Sequence, residues 1–116
     1  MSETPSIALF SYGTLRQADV QLANYSRLLS GEADALRGYR LVPVAIDDPE
    51  VVRVSGQAVH MIAVASDKPE DRVAGVVLML SAAELAATDA YETDAYSRIE
   101  ATLESGRCAW VYVRAQ

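Results

Sequence analysis

The chain has 116 residues, of which 51% are hydrophobic and 22% charged, enough apolar material for one core and an expected single domain over residues 1–116. Its net charge of -6 argues against a nucleic-acid partner, and no apolar run reaches the ~20 residues of a membrane helix. Met1–Ser6 is polar and proline-containing, without signal-peptide character, and Cys108 is the sole cysteine, so the expected compartment is a reducing cytoplasm.

Ile7-Ala8-Leu9-Phe10-Ser11-Tyr12 predicts a buried strand that runs into Gly13-Thr14-Leu15, where glycine permits a sharp change of direction. From Asp19 to Leu29, Val20, Ala23, Leu28 and Leu29 recur at helical spacing, with Gly31 as the expected stop. Ala35–Val44 reads as one extended segment, and Asp47-Asp48-Pro49-Glu50 as a polar loop. Ala58–Ala65 and Arg72–Leu80 predict two adjacent strands joined as a hairpin through Ser66–Asp71. Ser81-Ala82-Ala83-Glu84 has the form of a capping box ahead of a helix to about Tyr91. Ser97–Leu103 and Cys108–Val113, with Glu104-Ser105-Gly106 between them, predict a terminal hairpin. The tally is about six strands and two helices, and the expected fold is α+β, a small mixed, antiparallel-rich β-barrel with flanking short helices.

Two stretches carry chemistry. The backbone amides of Tyr12-Gly13-Thr14-Leu15 can form a nest for a small carboxylate, with Thr14 adding a hydroxyl; the same residues also suit a tight turn and nothing more. In Asp89-Ala90-Tyr91-Glu92-Thr93-Asp94-Ala95-Tyr96, Glu92 falls at the negative end of a helix dipole, beside Asp89 and Asp94 and between tyrosines. Each of these raises a carboxyl pKa, which suits proton transfer, although a solvated acidic helix end has the same sequence.

Other candidates reduce to structural roles. His60 has no serine or cysteine motif to serve, Cys108 reads as a small buried hydrophobe in a strand, and Ser11 lacks the surround of an esterase nucleophile. Trp110 and Tyr112 share one strand face and either fill the core or wall a pocket. One histidine and one cysteine make no zinc cluster, so no metal ligands and no cofactor are expected.

Taken together, Phe10-Ser11-Tyr12-Gly13-Thr14-Leu15, Gly75-Val76-Val77-Leu78, Asp89-Ala90-Tyr91-Glu92 with Tyr96-Ser97-Arg98, and the closing Trp110-Val111-Tyr112-Val113 resemble the gamma-glutamylcyclotransferase family. The resemblance extends to its AIG2-like and gamma-glutamylamine cyclotransferase branches and covers nearly the whole chain. It implies a small mixed β-barrel in which Tyr12, Gly13, Thr14 and Leu15 hold the alpha-carboxylate of a small gamma-glutamyl substrate. Glu92 then acts as the acid-base catalyst while 5-oxoproline forms, and Tyr96 is a further candidate for steadying charge on the substrate carbonyl. The reaction is intramolecular, so the covalent tether has already met much of its entropy cost. The chain departs from the family at Thr93, where many members have glycine, and over Ala45–Ala65, which lacks a match to a proline-containing segment bordering the pocket. A non-catalytic carboxylate-binding module and a protein-interaction domain are the alternatives on the same fold.

Overall fold

The structure, a computed structural model, describes residues 5–45, 48–56, 59–92 and 95–115. Its centre is β1 (Ile7–Ser11), which pairs antiparallel with β5 (Arg72–Leu80) on one side and parallel with β7 (Cys108–Arg114) on the other. With β2 (Glu32–Arg37) outside β5 and β6 (Tyr96–Thr102) outside β7, the sheet has the order β2-β5-β1-β7-β6. Neighbouring residues of a strand point to opposite faces. Leu9 accordingly enters one apolar cluster with Val20, Tyr25, Leu78, Leu85 and Tyr91, and Phe10 enters another with Leu36, Ala63, Val77 and Val111. Helices α1 (Ala18–Tyr25) and α3 (Ala82–Tyr91) supply the first cluster, and α2 (Pro49–Ser55) joins them through Val51.

A second sheet of two strands, β3 (Tyr39–Ala45) and β4 (Val59–Ala65), brings Tyr39 and Ala63 to the second cluster. The assembly is α+β and mixed, with one parallel pair among antiparallel ones, as expected. The two sheets do not close into a continuous barrel.

The predicted terminal hairpin, β6 and β7, forms in full register from Tyr96↔Arg114 to Thr102↔Cys108. The capping box also forms: the Ser81 hydroxyl accepts from the Glu84 amide at 3.2 Å, and the Glu84 carboxylate accepts from the Ser81 amide at 2.9 Å. Other expectations need correction. Ala35–Val44 is two strands in different sheets, divided at Gly38, whose φ of 79° lies where glycine is favoured. There the Gly38 amide donates to Asp71 O at 2.7 Å, and Gly38 O accepts from the Ser66 amide at 2.9 Å.

β4 and β5 are not a hairpin: β4 pairs with β3, and β5 lies between β1 and β2. Both edges of β5 are thus taken, and at Gly75, where an added Cβ would stand 2.4 Å from Ser11 O and 2.7 Å from the Phe10 ring, β5 fits closely against β1. Asp48-Pro49-Glu50 opens helix α2 instead of a loop. The Asp48 carboxylate caps it by accepting from the Glu50 amide at 3.0 Å, and proline takes the first turn, where no amide partner is needed. Asp47 and Ala58, predicted in the loop and in β4, lie outside the described residues. α1 stops at Tyr25, with Ser26 in the left-handed region at φ 58°, well before Gly31. Cys108 is exposed, because it begins β7 at the turn end of the hairpin and does not face the core. The described residues thus form seven strands, three α-helices and a short 3-10 helix, Thr14–Arg16.

Candidate active site

Helix α3 is anchored at its start and middle, which fixes what leaves its end. Glu84 of the capping box also takes a two-pronged ion pair from Arg27, at 2.7 and 2.8 Å, and these partners pull its carboxyl down to about 2. Thr88, fully buried, donates to Glu84 O at 2.8 Å and meets the Tyr25 hydroxyl at 2.6 Å, tying α3 to α1. Glu92 follows the last helical residue. Its amide still bonds Thr88 O at 3.0 Å, but its backbone has turned extended (φ -70°, ψ 139°), carrying the side chain out of the helix.

The carboxylate of Glu92 lines a pocket of about 320 Å³ beside the end of β1. Tyr12, Gly13, Thr14, Leu15 and Tyr96 line the same pocket, so all six predicted site residues converge on it. Burial, and secondarily the charge of Asp89, push the Glu92 carboxyl up to about 8. Asp94, expected to contribute, lies outside the described residues, as does Thr93. Asp89 is held in place: its Oδ1 accepts from Tyr112 at 2.5 Å and from Arg98 Nε at 2.9 Å, and Arg98 Nη2 reaches Oδ2 at 3.1 Å. Arg98 in turn lies over the Trp110 ring at 4.5 Å. Tyr112 is both core and pocket wall.

Tyrosines surround the carboxyl. The hydroxyls of Tyr12, Tyr25, Tyr91, Tyr96 and Tyr112 are all pushed up, first by burial and in addition by the charge of Glu92, Tyr25 to about 12. They remain neutral hydrogen-bonding groups at any physiological pH. A phenol has one proton to give. Tyr12 gives it to Tyr112 O at 2.5 Å while accepting from the Ala63 amide at 3.0 Å, so its hydroxyl joins the two sheets. Tyr96 gives its proton to Met61 O at 3.1 Å, which leaves it only lone pairs to offer. Its predicted use as a donor to the substrate carbonyl is therefore not available in this arrangement.

The loop after β1 differs. Arg16 and Gln17 amides return to Gly13 O and Thr14 O, closing the 3-10 turn, whereas the amides of Gly13, Thr14 and Leu15 have no acceptor among the described residues. Thr14 Oγ1 meets the Tyr91 hydroxyl at 2.7 Å, linking loop and helix end. Gly13 is not left-handed (φ -125°, ψ -146°), and an added Cβ would meet nothing within 4 Å. The turn does not demand glycine there; a side chain at this position would take up space in the pocket instead.

Sequence reasoning missed the opposite wall. Val59, His60 and Met61 of β4 line the pocket, and so do Arg16 and Gln17. His60 is buried, with Nε2 3.2 Å from Ser55 Oγ. Arg16 directly follows Tyr12–Leu15 and could have been found by extending that motif. The β4 residues carry no local signal, because their position depends on how the hairpin docks. Among the described residues, no group of three or more His, Cys, Asp or Glu could hold a metal ion, and no helix is long and apolar enough to cross a membrane.

The family model described as gamma-glutamyl cyclotransferase, AIG2-like matches residues 9–116. The chain belongs to this family. Among solved structures it is similar to a protein from Arabidopsis thaliana (22% identity, TM-score 0.69, 98% of this chain and 66% of that one). It is also similar to an uncharacterized protein from Homo sapiens (17%, TM-score 0.74, 97% and 69%) and to a gamma-glutamyl cyclotransferase (16%, TM-score 0.72, 95% and 67%). At these identities the likeness is one of fold, and the chain spans about two thirds of the length of each of these proteins. No curated protein matches it.

Proposed function

We propose that this member of the family is a working gamma-glutamyl cyclotransferase. It would cyclise a gamma-glutamyl amide or peptide to 5-oxoproline and release the amine or amino acid, with Glu92 as general acid and base. The observation that carries the reading is a carboxyl raised to about 8 that lines the same pocket as three residues whose amides lack acceptors among the described residues. A group with such an affinity holds and releases a proton near neutrality, as acid-base catalysis requires.

In the proposed cycle the substrate's alpha-carboxylate docks on the amides of Gly13, Thr14 and Leu15. Glu92 takes a proton from the alpha-ammonium group, and the freed amine attacks the gamma-carbonyl carbon. A new C–N bond closes the five-membered lactam as the bond to the departing nitrogen breaks. Glu92 returns the proton to that nitrogen and relays a second one from the attacking nitrogen, which passes from amine to lactam N–H, so the amine departs as an ammonium group and the enzyme ends as it began. The step is an internal acyl transfer without redox change. Its atoms balance with substrate and one carboxyl, and no step is assigned to a metal or cofactor. Tyr96 and Tyr12 serve the site by holding β4 and the loop in place.

The test is 5-oxoproline release from a mixed panel of gamma-glutamyl amino acids and gamma-glutamyl amines. Release from at least one compound is expected. Compounds that raise the melting temperature without releasing 5-oxoproline would return the chain to a binding module, and a panel that does neither would favour the interaction domain.

A further inference from the structure

The chemistry proposed above assigns the gamma-glutamyl half of the substrate and leaves the departing half undefined, so the remaining surface of the pocket has to define it. On one side β4 presents Val59 and Met61, 54% and 41% exposed, two residues apart and therefore on one strand face. Their cross-strand partners in β3 are Ala45 and Pro43, and Leu41 lies two pairs further along on the same face, so the apolar surface continues past the mouth. Large apolar side chains left in water at a pocket mouth are a feature that a ligand can cover with gain.

On the other side Arg16 is exposed at the pocket wall. Its Nε donates to Gly13 O at 3.1 Å, which orients the guanidinium, and no carboxylate pairs with it among the described residues. Glu92 is the acidic residue of the described wall and is taken up by the proton transfers. Among the described residues the mouth therefore offers apolar surface and a cation, and no anion for a positively charged departing group.

We infer that the departing group is an amino acid with an apolar side chain, the side chain lying on Val59 and Met61 and the carboxylate facing Arg16. This rests on the cyclotransferase reading. An amine without a carboxylate leaves Arg16 unused, a polyamine conjugate sets cations against it, and a lysine conjugate brings, beside its carboxylate, an ammonium group for which the described mouth holds no anion.

The experiment compares kcat/KM for 5-oxoproline release from the gamma-glutamyl conjugates of leucine, glycine, glutamate, lysine (through its side-chain amine) and isopentylamine, the last being leucine without its carboxylate. The leucine conjugate should exceed each of the others by about 10-fold or more, the scale of a buried hydrocarbon group or of a charged hydrogen bond. Met61→Lys should lower the leucine-to-glycine ratio about 10-fold, and Arg16→Gln should bring the leucine and isopentylamine conjugates together through KM. Equal rates across the panel, or preference for the lysine or isopentylamine conjugate, would overturn the inference and leave the cyclotransferase reading standing. No release from any conjugate would overturn both. Should a variant fold poorly, the parent's panel decides alone.

Discussion

The wall made by the end of β1, the 3-10 turn and Glu92 is backed by polar side chains committed to one another: Thr14 to Tyr91, Asp89 to Tyr112 and Arg98, Tyr25 to Thr88. The wall made by β4 is apolar and half open, and two phenols, Tyr12 and Tyr96, bond its backbone to the rest of the pocket. The first is built like a reaction centre, where a shift of an ångström costs rate, and the second like a surface that can vary with its ligand. A single pocket can in this way keep one reaction while its departing group changes.

The largest test of this contrast is Glu92→Gln, which preserves shape and removes the proton carrier. Turnover of an accepted substrate should fall by ~10²–10⁴, with KM little changed. Near-parent turnover would remove the reaction centre from this wall. The two walls should also respond differently to loss of a single oxygen. Tyr12→Phe leaves the Ala63 amide and Tyr112 O without their partner and should cost about 2 kcal/mol or more in urea unfolding. A loss below roughly 0.5 kcal/mol would mean that the hairpin is held by its apolar contacts alone.

A subtler effect follows from ionisation. Glu92 is raised in the fold from its ordinary 4.5 to about 8, so the folded chain keeps a proton that the unfolded chain has released over that interval. Its contribution to stability is full below pH 4.5 and is lost as pH rises through about 8. Glutamine does not ionise, and Glu92→Gln should melt about 4 °C or more above the parent at pH 9 while the two converge near pH 4. Identical melting curves at pH 9 would show that Glu92 ionises without penalty. The smallest effect concerns Asp89, the lesser cause of the raised carboxyl. In the parent, kcat/KM should decline as pH falls through about 8, and Asp89→Asn should move that limb to lower pH by no more than about one unit. An unmoved or rising limb would exclude Asp89 from setting it.

The polar wall was legible in the sequence because its determinants are local. Tyr12–Leu15 follow one strand without a gap, and Ser81, Glu84, Thr88 and Glu92 are spaced along one helix whose start the capping box announces. The apolar wall was not legible, since Val59 and Met61 reach the pocket only after the chain has crossed between sheets at Gly38 and made helix α2. A strand's own residues do not say which partner it will take, and Ile, Val and Met in β4 suit pairing with β5 as well as with β3. Helix α2 was overlooked for another reason: Asp48-Pro49-Glu50 reads as a break, although an acidic cap followed by proline also starts helices.

The Tyr12 oxygen has a consequence for motion. The Ala63 amide and the Tyr112 carbonyl belong to different sheets, and one hydroxyl satisfies both. Any outward swing of β4 wide enough to widen the pocket has to break that bridge. Exchange of the Ala63 amide with solvent hydrogen and escape of a product past β4 would then be gated by the same opening.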